Sequence, residues 1–121
     1  MVKAKILLVD DEIDLVETVK FRLESNNYQV QVAYDGQEAL ESLENFTPDL
    51  VILDLKLPSM SGEEIYKLLK INPVTEKVPV ILFTASKEDA EMLKIGAEGF
   101  VKKPFESKDL LDTIRKLLSK S

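Results

Sequence analysis

The chain has 121 residues, a formal net charge of −6, and no Cys, His or Trp. Without His or Cys it has no Ser–His or Cys–His nucleophile pair, no zinc finger and no histidine metal site. The acidic balance argues against direct nucleic-acid binding, and no apolar stretch is long enough to span a bilayer. No apolar region typical of a signal peptide follows Met1, which favours a cytoplasmic protein without membrane contact.

Five short apolar runs predict five strands. They are Ile6–Val9, Tyr28–Ala33, Leu50–Leu53, Val78–Phe83 and a weaker Gly99–Val101. Leu50–Leu53 is continuously apolar, which is typical of a strand buried on both faces. Val30 and Val32 alternate with glutamines, which is typical of the edge of a sheet.

The segments that follow the strands carry apolar residues at helical spacing. The five stripes are Leu15, Val16, Val19 and Leu23; Ala39, Leu40 and Leu43; Ile65, Leu68 and Leu69; Ala90, Leu93 and Ala97; and Leu110, Leu111, Ile114, Leu117 and Leu118. Phe21 lies off the first stripe. Three pairs at capping-box spacing support the starts of the second, third and fourth helices: Asp35 with Glu38, Ser61 with Glu64, and Ser86 with Asp89.

This alternation predicts an α/β protein of five βα units, with a parallel sheet between two layers of helices. No linker or repeat interrupts it, so we predict a single domain over residues 1–121. The edge-like second strand and the apolar first, third and fourth strands favour the flavodoxin-like, doubly wound order 2-1-3-4-5. In that order the chain reverses direction between strands 1 and 3, which opens a crevice at the carboxyl ends of the strands.

Polar residues follow the predicted strands at that same edge. Asp10 and Asp11 follow strand 1, Asp54 follows strand 3, Thr84 ends strand 4 and Lys103 follows strand 5. Clustered carboxylates repel one another, and a divalent cation held by oxygen ligands relieves that repulsion. Together these residues predict a Mg²⁺ site beside a nucleophilic carboxylate that can receive a phosphoryl group.

Each of these residues also has an ordinary structural interpretation. Asp10 could be a loop acid, and Asp11 could cap the first helix with Asp14. Thr84 is a common type of strand residue. Asp54 is harder to explain in this way, because a carboxylate that ends an apolar strand is costly to bury unless it is paired or bound to a metal. The functional interpretation depends on the whole set meeting at one edge.

On these residues the chain resembles the receiver domain of bacterial two-component signalling, the chemotaxis-type response-regulator fold. The resemblance runs from about Lys5 to Leu118. The motifs that carry it are Val9-Asp10-Asp11-Glu12, Leu53-Asp54-Leu55-Lys56-Leu57-Pro58, Gly62, Phe83-Thr84-Ala85, and Gly96-Ala97 through Phe100 to Lys103-Pro104-Phe105.

The resemblance implies roles for the acidic residues and for the loop after strand 3. Asp54 would be the phosphoacceptor. Asp11 would bind Mg²⁺ directly, and Asp10 would bind it mostly through water. The backbone carbonyl of Lys56 would be a further ligand.

The resemblance also implies a catalytic lysine and a switch. Lys103 would pair with the phosphoryl oxygens, and its bond to Pro104 would be cis. Thr84 would bond the phosphoryl group and move inward. Phe100 stands where the family carries a switch aromatic, often Tyr, and it lacks the tyrosine hydroxyl.

Because the chain has no His, the phosphoryl group would come from a sensor histidine kinase or a histidine phosphotransfer domain. The donor would dock at the amino end of the first helix, around Glu12 to Val19. Output to a partner or a homodimer would use the fourth helix, fifth strand and fifth helix. We expect no output domain after the last helix, so the chain is either a stand-alone regulator or a receiver from a longer protein.

Three alternatives differ in what they require of the sequence. A haloacid-dehalogenase-like phosphatase needs an Asp-x-Asp pair after strand 1 with the nucleophile first, whereas Asp10 and Asp11 are adjacent. A pseudo-receiver, an interaction module with this fold, usually lacks one of the acids or the lysine. A flavin binder needs a phosphate-binding loop after strand 1, where these two acids would repel the phosphate.

Overall fold

Strands and helices alternate along the chain as the hydrophobic pattern predicts. The computed structural model describes residues 3–84 and 97–119. The elements are β1 (Lys5–Val9), α1 (Ile13–Ser25), β2 (Gln29–Ala33), α2 (Gly36–Ser42), β3 (Leu50–Asp54), α3 (Gly62–Ile71), β4 (Val80–Thr84), β5 (Gly99–Lys102) and α4 (Ser107–Leu118). Helix α4 is the fifth predicted helix. The fourth, with its capping pair Ser86 and Asp89, lies outside the described residues, apart from Ala97, which directly precedes the segment leading into β5.

All five strands are parallel and lie in the order β2-β1-β3-β4-β5, which confirms the predicted fold. The first four residues of β2 alternate between exposed and half-buried as in an edge strand, and Ala33 at its end is buried. Every residue of β3 and β4 is buried. Strand β4 begins at Val80 and not at Val78. The intervening Pro79 has no N–H to donate to a ladder.

Two layers of helices cover the two faces of the sheet. Alternate strand residues, among them Ile6, Leu8, Leu50, Ile52 and Phe83, pack in one cluster with α1 and α4. Their neighbours, among them Leu7, Val9, Val51, Leu53 and Leu82, pack in a second cluster with α2 and α3. Because successive side chains of a strand point to opposite faces, one sheet supplies both cores.

The helix starts confirm two of the predicted caps. Asp35 accepts a hydrogen bond from the N–H of Glu38 at 2.8 Å, and Ser61 Oγ accepts one from the N–H of Glu64 at 3.1 Å. Helix α1 begins differently, with Glu12 at the N-cap and no side-chain capping bond. The interpretation of Asp11 as a helix cap is therefore wrong.

One apolar position on the helices differs from the predicted pattern, and another agrees with it. Leu68 is 37% exposed, whereas Tyr66, two residues earlier on α3, is buried. Phe21 is 69% exposed, which agrees with its position off the first stripe. Among residues 3–84 and 97–119, no helix has both the length and the apolar character needed to cross a membrane.

Candidate functional site

Two buried carboxylates and one ammonium meet at the carboxyl edge of the sheet. Nζ of Lys103 lies 2.9 Å from Oδ2 of Asp10 and 3.2 Å from Oδ2 of Asp54. Strand alternation accounts for the meeting, because Asp10, Asp54 and Lys103 continue the same alternation as Leu8, Ile52 and Val101. Those three apolar residues belong to the core beneath α1 and α4.

An aromatic pair lies beside the ammonium. The Phe83 ring centroid is 5.5 Å from Nζ of Lys103, within the range of a cation–π interaction. The same ring packs against Phe105, with centroids 4.8 Å apart. These rings exclude water from one side of Lys103, which strengthens its attraction to the two carboxylates.

Each buried carboxylate has a partner for both oxygens. Asp10 is fully buried; Oδ1 accepts the N–H of Glu12 at 3.0 Å, and Oδ2 accepts from Lys103. In Asp54, Oδ1 accepts the N–H of Lys56 at 3.2 Å, and Oδ2 accepts from Lys103. Such pairing is the condition under which a carboxylate can be buried without losing its charge.

The electrostatics of the two partners differ. Burial raises the pKa of Asp54, and the nearby charge of Asp10 raises it further, while the Lys56 N–H and Lys103 act in the opposite direction. Burial by itself lowers the pKa of Lys103, but the hydrogen bonds and charges of Asp10 and Asp54 outweigh it, so this pKa is raised. Lys103 therefore stays protonated, and additional positive charge would stabilise the ionised form of Asp54.

A third acid joins this cluster. One carboxylate oxygen from each of Asp10, Glu12 and Asp54 lies within 4.8 Å of the others, a set that could hold a metal ion. An all-oxygen set suits a hard cation such as Mg²⁺. Glu12 is a member of this cluster that the strand-end pattern does not predict. The signal was its position two residues after Asp10, which in extended chain places both side chains on one side.

The contacts that Asp11 and Lys56 make do not test their predicted roles as metal ligands. The Asp11 side chain is exposed and makes no hydrogen bond or ion pair with any described residue. Lys56 contacts Asp54 through its backbone N–H. Lys56 therefore adjoins Asp54, Asp11 directly follows Asp10 along the chain, and the roles of both as metal ligands remain predictions.

The two predicted switch residues lie on β4 and β5. Thr84 is buried at the end of β4, and its carbonyl accepts the N–H of Lys103 at 2.6 Å. Phe100 is half-buried and packs against the core beneath α2 and α3. The bond between Lys103 and Pro104 is cis, which confirms that prediction. The movements predicted for Thr84 and Phe100 stay predictions.

Gly62 allows α3 to start directly against the backbone that follows Asp54. Its N–H donates to the carbonyl of Leu55 at 3.0 Å. A Cβ atom at this position would lie 2.5 Å from the carbonyl oxygen of Asp54 and 2.6 Å from the Cα of Leu55. Only glycine fits this approach without moving the backbone of the site.

Comparison with known sequences agrees with this geometry. Residues 6–115 match the family model of the response regulator receiver domain. The response regulator ArlR of Staphylococcus saprophyticus is 38% identical, over 94% of this chain and 52% of its own length. The phosphate regulon transcriptional regulatory protein PhoB of Escherichia coli is 37% identical, over 94% of this chain and 51% of its own. The chain spans about half the length of these relatives.

Solved structures agree as well. The signal receiver domain of a histidine kinase from Syntrophus aciditrophicus is 34% identical, with a TM-score of 0.90, and covers 97% of this chain and 91% of that one. The receiver domain of the sensor histidine kinase PA1611 from Pseudomonas aeruginosa is 26% identical, with a TM-score of 0.90, and covers 98% and 99% of the two chains. That structure holds a magnesium ion in its active-site cleft. The chain belongs to the response regulator receiver domain family.

Proposed function

We propose that Asp54 accepts a phosphoryl group from a phosphohistidine of a partner protein in a Mg²⁺-dependent reaction. The observation that carries this proposal is the bridge that Lys103 makes between Asp10 and Asp54 at an otherwise acidic edge. A carboxylate oxygen of Asp54 attacks phosphorus, the N–P bond of the donor breaks, and the electron pair leaves with the imidazole. The donor is a partner, because this chain contains no His.

The residues around Asp54 position the group and offset its charge. Lys103 is the cation that meets the phosphoryl oxygens, and Thr84 supplies a hydroxyl donor from the end of β4. Asp10, Asp11, Asp54 and the carbonyl of Lys56 would hold Mg²⁺. When bound, this ion offsets the negative charge that the carboxylates and the phosphoryl group bring together.

The partner is a sensor histidine kinase or a histidine phosphotransfer domain that docks beside Lys103. A cleft of about 450 Å³ between α1 and α4 supports this proposal. Its apolar lining comes from both helices and from the loop after β5: Leu15, Val19, Pro104, Phe105, Leu110 and Leu111. Glu12, Lys103 and the amino-terminal half of α1 lie at the same cleft, so a docked helix would bring its phosphohistidine to the acidic edge.

We infer that the chain acts as one receiver domain over residues 1–121, in the cytoplasm. It is a signalling phosphoacceptor that promotes its own phosphorylation and slow dephosphorylation, not an enzyme that turns over an external substrate. The acyl phosphate favours the inward states of Thr84 and Phe100. Output to a partner or a second copy then uses the surface of the fourth predicted helix, β5 and α4.

The test is intact-mass analysis after incubation with acetyl phosphate and Mg²⁺. A single phosphoryl adduct forms on the wild-type chain and is absent from Asp54→Asn. Asp49→Asn is the matched control, because Asp49 precedes β3 and accepts a hydrogen bond from the N–H of Lys5 far from the site. We expect the phosphoryl adduct to form on this variant as on wild type. An adduct on Asp54→Asn would reassign the nucleophile, and repeated turnover of phosphate esters would favour a phosphatase.

A further inference from the structure

Glu12 is the solvent-facing partner of the site lysine. Its Oε1 atom lies 3.2 Å from Nζ of Lys103, the same distance as the Asp54 contact. The three acids differ in accessibility, because the Glu12 side chain is 62% exposed whereas those of Asp10 and Asp54 are 0% and 10% exposed. The acids therefore approach the ammonium from two sides, the buried pair from within the sheet edge and Glu12 from the solvent.

The hydrogen-bond capacity of Lys103 is fully used in this arrangement. An ammonium has three donors and no acceptor. Asp10, Glu12 and Asp54 each accept one of these hydrogen bonds. A phosphoryl oxygen that approaches Asp54 can therefore reach Lys103 only by displacing one of the three carboxylates.

Glu12 is the carboxylate that leaves at the lowest cost. A buried carboxylate that loses its cation stays desolvated and uncompensated, which is the expensive outcome for Asp10 and Asp54. The exposed Glu12 carboxylate exchanges Lys103 for water, so its release costs little. Glu12 and Lys103 both line the cleft at which we propose that the phosphodonor docks.

We propose that Glu12 is a positioning residue that occupies the outward donor of Lys103 until a phosphoryl group replaces it. The proposal rests on the proposed function of Asp54 and deepens it by naming the residue with which the phosphoryl group competes. Glu12 thereby weakens binding of the phosphoryl group and keeps Lys103 paired in the unmodified chain. It acts through Lys103 and not as a ligand of Mg²⁺.

The first measurement concerns the unmodified chain. The ¹⁵N resonance of the Lys103 ammonium shifts in Glu12→Gln and stays in place in Glu17→Gln. Glu17 is the matched control, because it is exposed on α1, the helix that Glu12 precedes, and its replacement removes the same charge. Equal spectra for wild type and Glu12→Gln would overturn the proposal without any reference to phosphorylation.

The second measurement is the affinity for beryllofluoride, an analogue of the phosphoryl group, by calorimetric titration in saturating Mg²⁺. Glu12→Gln binds about two- to fivefold more tightly than wild type, the size expected for one partly exposed ion pair. Glu12→Asp gains a similar factor in affinity for beryllofluoride, because its shorter side chain keeps the charge but loses the contact with Lys103. In a Lys103→Met background, Glu12→Gln has no effect.

The outcomes separate this proposal from competing explanations. Two results would show that Glu12 acts only through its negative charge near the site, and each would overturn the proposal. One is a Glu12→Asp variant that binds beryllofluoride as wild type does. The other is an equal gain in affinity from Glu12→Gln in the Lys103→Met background. A fall in Mg²⁺ affinity in Glu12→Gln identifies a metal ligand and overturns it as well. Failure of the wild-type chain to bind beryllofluoride would overturn the proposed function of Asp54 itself.

Discussion

The ammonium of Lys103 lies 2.9 Å from the carboxylate of Asp10, although 93 positions separate the two residues in the chain. Asp10 follows β1 and Lys103 follows β5, and strands β3 and β4 lie between them in the sheet. The long side chain of Lys103 therefore crosses the edge of two strands to reach the acid. This contact closes the site and ties the first strand of the fold to the last.

Replacing Lys103 with Met tests how far the fold depends on this contact. The fully buried Asp10 would lose its cation, so we expect the free energy of unfolding to fall by about 1–3 kcal/mol. Mg²⁺ should restore part of that loss by supplying another positive charge. Urea unfolding with and without Mg²⁺ measures both effects.

Lys102→Met is the matched control for that measurement. Lys102 is the adjacent residue and is exposed, so its loss should change stability by less than about 0.5 kcal/mol. Similar losses for Lys102→Met and Lys103→Met would show that the contact with Asp10 has no special weight.

Asp54→Asn should raise stability at neutral pH in the absence of Mg²⁺, by an amount on the order of 1 kcal/mol. Burial raises the pKa of Asp54 from its ordinary value of 3.8, so the folded chain binds this proton more tightly than the unfolded chain does. The stability that the protonated carboxyl contributes is present below pH 3.8 and is lost as pH rises through the folded pKa.

Urea unfolding from acidic to neutral pH checks the sign of that effect. Wild type should lose stability relative to Asp54→Asn as pH rises above 3.8. The exposed Asp11→Asn should follow wild type closely. An Asp54→Asn variant that is less stable than wild type at neutral pH would show that the bond to Lys103 outweighs the cost of burial.

Mg²⁺ should raise the melting temperature, because the acidic cluster proposed to bind it exists only in the folded chain. At 100 times the dissociation constant, mass action gives about 2.7 kcal/mol. Asp10→Asn and Asp11→Asn should each reduce this stabilisation, whereas Glu12→Gln should retain it. Thermal unfolding over a Mg²⁺ titration measures the difference, and full stabilisation of Asp11→Asn would remove that residue from the ligand set.

Gly62→Ala should destabilise the chain by about 2–3 kcal/mol, because the new Cβ atom would overlap the backbone at Asp54 and Leu55. The rate of adduct formation from acetyl phosphate should fall too, since relief of that overlap moves Asp54. Gly99→Ala is the matched control. Its Cβ would meet flexible side chains at 3.1 Å or more, so the loss should be at most about 1 kcal/mol with an unchanged rate.

Much of the architecture could be predicted from local patterns. The continuous apolar run Leu50–Leu53 predicted a strand buried on both faces, and the alternation around Val30 and Val32 predicted an edge. The caps at Asp35 and Ser61 followed from residue type and spacing. These signals depend on neighbours along the chain, which is why a single sequence carries them.

The arrangement inside the site depended on the tertiary structure. Sequence placed Asp10, Asp54 and Lys103 at one edge, because parallel strands end together. It did not determine that Glu12 would join Lys103 while Asp11 turned to solvent, since that choice depends on how α1 begins against the loop after β5. Sequence fixes which charges share an edge through periodicity, whereas packing across the chain decides which of them touch.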